Sequence, residues 1–304
     1  MRHTRTARLA ALSTVSFCLV TMSGLAAPAQ ARPDERPADA CASSAFARGG
    51  DSERGADHRD VSVAEQKQIT AQAKELARAQ GGGTTTSTVV PVYVHVMAAA
   101  NGAGNVTDAQ IASQMTVLNK TFAGGETTSA SNTGFTFTLA GTDRFFNDAW
   151  HADKSSSKYR TATRKGGANA LNIWLVDFNY LGIATFPWDY ARQGAIDGIR
   201  VDFTTLPGGS AANYDLGETA THEAGHWFGL FHTFQGGCTE INDEVADTPA
   251  QGSPTNGCPA GRDSCTLPGL DPIDNYMDYS YDSCYTKFTA GQTARMKTMW
   301  SFRA

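Results

Sequence analysis

Apolar and polar positions recur along this chain with two different periods, and each change of period marks an element. Val89-Val90-Pro91-Val92-Tyr93-Val94-His95-Val96 is β-branched and ends before the turn residues Asn101 and Gly102, which predicts a strand. Phe135-Thr136-Phe137-Thr138-Leu139 alternates with period two and predicts another. Leu171 to Phe178 is an apolar run, as expected of a strand covered on both faces. Leu181 to Pro187 follows, and Pro187, which lacks an amide proton, confines it to a sheet edge or a strand end. Gly198 to Phe203 is a further short strand. Helical periodicity appears where Thr107-Asp108-Ala109-Gln110 forms a capping box and Ile111, Met115, Leu118 and Phe122 then fall on one face. Ser62 to Glu65 is a second capping box, opening a helix through Gln80 that Gly81-Gly82-Gly83 ends. Thr289 to Gln292 starts a C-terminal helix reaching about Ser301. Lys154 to Lys165, basic and rich in Ser and Thr, reads as a solvated loop. No internal repeat is present.

The N-terminal part has no such pattern. Met1 to Ala31 has an arginine-bearing start, an apolar centre from Leu9 to Ala27, and Ala29-Gln30-Ala31 as a cleavage site, which predicts a secretory signal peptide. Residues 32–83 are poor in aromatics and bury little, so a propeptide is expected there, with residues 84–304 as the catalytic domain. With 304 residues, 41% of them hydrophobic and 18% charged, the chain can build one substantial core. From Thr84 onward acidic residues outnumber basic ones by 21 to 14, which argues against a nucleic-acid partner. No stretch beyond the signal is apolar and long enough to span a bilayer. A secreted, extracellular monomer is expected.

The chemistry concentrates in His222-Glu223-Ala224-Gly225-His226-Trp227-Phe228-Gly229-Leu230-Phe231-His232. Histidines four apart on a helix share a face, so His222 and His226 can hold one ion. Gly229 can let the chain leave the helix and return His232 as a third ligand. Three imidazoles leave one tetrahedral position open, the arrangement of a catalytic zinc. Glu223 would stand beside the ion as general base, then acid, in hydrolysis of a peptide bond. Met277, 45 residues after His232, is a candidate apolar floor beneath the ion, and the Tyr279 hydroxyl a candidate partner of the zinc or the oxyanion. Near the expected specificity pocket lie Asp278, Asp282 and Ser283, and an acidic wall there would favour a basic residue after the scissile bond. His95 is expected to be packed or hydrogen-bonded, and Asp215 to cap the helix that carries the motif.

Cys238, Cys258, Cys265 and Cys284 cluster late and in an exported chain predict two disulfides, with three connectivities open. Cys41 stands in the expected propeptide, where its thiolate is a candidate ligand to keep the zinc latent; an incidental thiol is the alternative. Asp243 and Asp247 are candidate calcium ligands, although an acidic surface loop accounts for them equally.

Four strings together carry a family resemblance: the stretch from Leu216 to Trp227, Thr233 to Cys238, Val245-Ala246-Asp247-Thr248-Pro249, and Asn275-Tyr276-Met277-Asp278-Tyr279. From about Val89 to the C-terminus the chain resembles the pappalysin (cytophagalysin) type of metzincin zinc metalloproteases. The resemblance implies an α/β (α+β) fold of two lobes: a mixed five-stranded sheet with backing and active-site helices, and a loop-rich, disulfide-bonded lower part. It implies the pairs Cys238–Cys265 and Cys258–Cys284. Peptide substrates would bind along the edge strand Gly182-Ile183-Ala184-Thr185-Phe186. Tyr279 becomes the candidate transition-state stabiliser, Met277 the Met-turn residue, calcium a common companion ion, and a latent precursor the expected first product. Two alternatives are an astacin-like metzincin and an inactive binding protein that keeps the fold.

Overall fold

A computed structural model of the chain describes residues 61–80 and 87–304. The expected signal peptide, Cys41 and the remainder of the expected propeptide outside residues 61–80 lie outside the described residues.

Strands form where the apolar runs predict them: β1 (Thr88–Ala98), β2 (Phe135–Phe146), β3 (Leu171–Val176), β4 (Gly182–Ala184) and β5 (Ile199–Asp202). They make one five-stranded sheet in the order β2-β1-β3-β5-β4. The first four strands in that order run parallel, while β4 pairs antiparallel with β5 and forms an edge. The sheet is thus mixed, as the resemblance implies. Every residue of β3 is buried, which matches its unbroken apolar run. Pro91 sits within β1 without breaking the ladder to β3, because β3 pairs with β1 only from Val92 to Val96.

Seven α-helices accompany the sheet among the described residues: α1 (Val63–Ala79), α2 (Asp108–Phe122), α3 (Asp148–His151), α4 (Ser156–Thr163), α5 (Tyr190–Gln193), α6 (Glu218–Trp227) and α7 (Ala290–Met299). The capping boxes at Thr107 and Thr289 are both complete. At the start of α1, Ser62 accepts a hydrogen bond from the Glu65 amide. Helix α2 backs α6: the Gln114 side chain donates to the Gly217 carbonyl at 2.8 Å, and Thr121 and Thr221 share a hydroxyl bond at 3.2 Å. Behind both, Phe122, Phe135, Phe137, Phe228 and Phe288 stack ring against ring, burying the apolar area that drives this part to fold.

Helix α1 belongs to the stretch expected as propeptide, and it docks on the end of the chain. Ile69 and Ala73 pack with Phe186, Phe231 and Met299, and the Ser301 hydroxyl donates to the Ala73 carbonyl at 3.0 Å.

The segment Lys154 to Lys165, expected as a solvated loop, contains α4, with Tyr159 and Arg160 buried. Tyr159 and Thr163 share the inner face one turn apart. The Thr163 hydroxyl accepts the Trp174 indole proton at 2.9 Å, and Arg160 donates to the Ile196 carbonyl at 3.0 Å. Tertiary partners therefore supply what a Lys- and Ser-rich composition conceals.

Between His232 and Thr289 the chain forms no α-helix and only an isolated bridge, Asn275 to Lys287. Two disulfides hold this region, Cys238–Cys265 and Cys258–Cys284, the pairing implied by the resemblance. His95 is buried as expected: it bonds Asn172 at 2.9 Å, pairs with Asp143 at 3.2 Å and stacks on Trp174.

Candidate metal centre

Helix α6 is buried along its whole length, which places His222, Glu223 and His226 in the interior between the sheet and the lower loops. It begins at Gly217 in the left-handed conformation, so Asp215, two residues earlier, is not its cap. The carboxylate at its start comes from Asp282, which accepts from the Leu216 amide at 2.9 Å and the Glu218 amide at 3.5 Å. The helix ends at Gly229, whose φ of 94° would strain any side-chain-bearing residue. The Gly229 amide closes onto the His226 carbonyl and the Leu230 amide onto the Gly225 carbonyl, turning the chain so that His232 faces back.

The three imidazoles converge. Their Nε2 atoms lie 3.1 Å (His222 and His226), 3.1 Å (His226 and His232) and 3.3 Å (His222 and His232) apart. On the far side of two rings, Nδ1 meets a backbone carbonyl: Tyr276 O at 2.6 Å from His222 and Leu230 O at 2.8 Å from His226. A carbonyl only accepts, so each Nδ1 carries the proton and each Nε2 presents its lone pair to the common centre. Nitrogens bound to one zinc at about 2.0–2.1 Å in tetrahedral array stand roughly 3.3 Å apart, so the spacing fits that ion. Among the described residues this is the one cluster of three or more His, Cys, Asp or Glu suited to a metal.

Around the cluster, Met277 is fully buried and its sulphur lies under Gly225. Its turn is fixed by Asn275, whose side-chain oxygen accepts from the Met277 amide at 2.9 Å and whose amide pairs reciprocally with Gln292 of α7. The Tyr279 ring lies 4.7 Å from that of His232 and 5.8 Å from that of His222. Glu223 is buried and its carboxyl rests against Gly182 of the edge strand β4. The stretch expected to bind peptide, Gly182 to Phe186, therefore borders Glu223, and the Phe186 ring meets that of His226 edge-on.

Beside His222 and Glu223 a small pocket opens, lined also by Tyr214, Glu218, Thr219, Asp282 and Tyr285. Burial, and secondarily the Asp282 charge, raises the Glu218 carboxyl well above its usual range. Burial likewise lifts Asp282 to about 7. Of the three residues expected near a specificity pocket only Asp282 lines it. Asp278 turns away to accept from Gln251 at 2.9 Å and the Thr255 amide at 3.1 Å, and Ser283 lies beside Cys258. Glu218, on the first turn of α6, supplies the second acid. Sequence reasoning passed over Glu218, Asn275 as an anchor and Asp282 as a cap. The signal for Asn275 was its place two residues before Met277.

Asp243 and Asp247 each hold neighbouring hydroxyl and amide groups. Asp243 accepts from Thr248 at 2.7 Å and the Val245 amide at 3.1 Å, and burial raises it to about 7. Asp247 receives the Thr289 hydroxyl at 2.7 Å and the Gly291 amide at 2.8 Å, holding the start of α7.

Known proteins place this arrangement. Residues 177–301 match the family described as pregnancy-associated plasma protein-A. An extracellular metalloprotease of Neurospora crassa is 46% identical over 243 residues, covering 75% of this chain and 82% of that one. One of Colletotrichum graminicola is 40% identical over 296 residues, covering 94% and 98%. Among solved structures, mature mirolysin of Tannerella forsythia with a cleaved peptide has a TM-score of 0.62 at 32% identity, covering 72% of this chain and 96% of that one. A promirolysin mutant has a TM-score of 0.66 at 30% identity, covering 79% and 89%. These matches, together with the geometry of the histidine cluster, make the chain a metalloprotease, a member of the pregnancy-associated plasma protein-A (pappalysin) family.

Proposed function

We propose that this chain is a secreted zinc endopeptidase made as a latent precursor, with His222, His226 and His232 holding one zinc and Glu223 acting as general base and then acid. The observation that carries the reading is the convergence of three imidazole Nε2 atoms within 3.3 Å of one another. A zinc ion there supplies a Lewis acid that polarises the scissile carbonyl and makes a water acidic. Glu223 takes the proton of the attacking water and delivers it to the departing amine, so no covalent acyl intermediate is needed. Tyr279 donates its hydroxyl hydrogen bond to the developing oxyanion. Met277 closes the floor without ligating. The edge strand β4, from Gly182 to Ala184 and on through Thr185 and Phe186, receives the peptide as an added strand. Glu218 and Asp282 line the adjoining pocket and are the candidate determinants of the residue accepted after the scissile bond.

Residues 1–31 are the export signal and residues 32–83 the propeptide, with residues 84–304 as the catalytic domain. Two facts support this division. The curated relatives are named extracellular, and the promirolysin match covers more of this chain than the mature one does. Cys41 is the candidate zinc ligand of the latent form, and an unchanged latency in Cys41→Ala precursor would remove it from that role. Asp243, Asp247 and neighbouring carbonyls are the candidate calcium ligands. The protein acts as a monomer on protein or peptide substrates, without nucleic-acid or membrane partners. Among the described residues no helix is long and apolar enough to cross a membrane.

The direct test is metal removal. Chelation should abolish hydrolysis of a casein-type substrate, and stoichiometric zinc should restore it. Hydrolysis that survives verified loss of the metal would refute the reading, and a chain that holds zinc without cutting any peptide would be the binding-protein alternative.

A further inference from the structure

Gly182 is the first residue of the edge strand, and its backbone has no need of glycine on conformational grounds, since its φ lies outside the left-handed region. What distinguishes the position is space. A Cβ built there would stand 2.4 Å from Glu223 Cγ, 2.4 Å from Glu223 Oε1 and 2.6 Å from Glu223 Cδ. Glu223 is wholly buried on a wholly buried helix, so its side chain has no solvent into which to retreat. Gly182 is in turn held by its pairing with Val201 of β5. Neither partner can give way cheaply, because close-packed interiors transmit strain rather than absorb it.

We propose that Gly182 is a positioning residue for Glu223: the missing side chain on the edge strand is the space in which the carboxyl of the base lies. This rests on the reading of Glu223 as the general base. It also gives the edge strand a second duty beyond pairing with peptide. One backbone would align the scissile bond and set the depth of the base relative to it.

The test is Gly182→Ala in the full-length enzyme, alone and with changes at position 223. A base displaced by about an ångström costs on the order of a hundredfold in turnover. Gly182→Ala should therefore lower kcat about a hundredfold, with KM within about twofold and one zinc per chain retained. Glu223→Ala removes Cγ, Cδ and both carboxyl oxygens from the contested space, so adding Gly182→Ala to it should leave the unfolding midpoint and zinc content as in Glu223→Ala alone, a non-additive pair. A Gly182→Ala chain that fails to fold is informative through Gly182→Ala/Glu223→Ala, which vacates the contested space and should restore folding and zinc content. The proposal is overturned by Gly182→Ala turnover within about threefold of wild type, by a fall in unfolding midpoint as large in the Glu223→Ala background as with Glu223 present, by a loss confined to KM, or by a double variant that still does not fold. Glu223→Ala alone separates the two ideas. If it is inactive while Gly182→Ala is active, only the positioning role falls; if it retains turnover, the base assignment falls and this role with it.

Discussion

The sulphur of Met277 occupies the place a side chain at Gly225 would take: a Cβ there would stand 2.4 Å from Met277 Sδ. Helix and floor are thus in contact through Gly225, the one residue of α6 that has no side chain. Gly225→Ala should overpack this contact and destabilise the fold by about 1–3 kcal/mol, with weaker zinc retention. Chemical denaturation and metal analysis after dialysis measure both. An unchanged midpoint and full zinc content would show that the floor yields freely.

The C-terminus is a second support of α6. Arg303 donates to both oxygens of Asp197, at 2.9 and 3.1 Å, stacks 3.7 Å above Trp227 and bonds the Trp227 carbonyl. Asp197 also accepts from the Trp227 indole at 3.0 Å and from Thr185 at 2.8 Å, so one carboxylate joins the end of α6 to the stretch beyond the edge strand. Both side chains of the ion pair are fully buried. Arg303→Ala leaves a buried charge poorly compensated and should cost about 3–5 kcal/mol in urea unfolding. A loss below about 1 kcal/mol would mean that the pair contributes little.

His95 should make stability depend on pH. Desolvation by burial is the largest influence on its imidazole and lowers its pKa below the usual 6.5, against the opposing effects of Asn172 and Asp143. The unfolded chain therefore takes up a proton near pH 6.5 that the folded chain refuses. Stability from this group is full above that pH and is lost as pH falls through the window below it. In melting curves from pH 7.5 to 5, wild type should lose more than His95→Gln on acidification, so that the two curves approach one another. Parallel curves would contradict this.

How much of this was legible in the sequence follows from what each signal depends on. Helix α6, the three histidines, Gly229 and Met277 are local or carried by a fixed spacing, and all stand where the pattern predicts. The strands were readable from β-branched runs, and the edge position of β4 from Pro187. Asp282 was not readable as the cap of α6, because 64 residues separate it from Glu218 and only the folded lower loops bring them together. Helix α4 was hidden for a related reason: its inner face is satisfied by Trp174 and Ile196, not by its own composition. Gly182 looks like any strand residue until Glu223 is placed beside it.

The central claim is that Glu223 does the proton work beside a zinc held by three histidines. It is tested most directly by measuring zinc content and peptide turnover together in Glu223→Ala. The prediction is one zinc per chain, an unchanged fold and turnover reduced by at least about a hundredfold. Turnover near the wild-type level with zinc in place would contradict it.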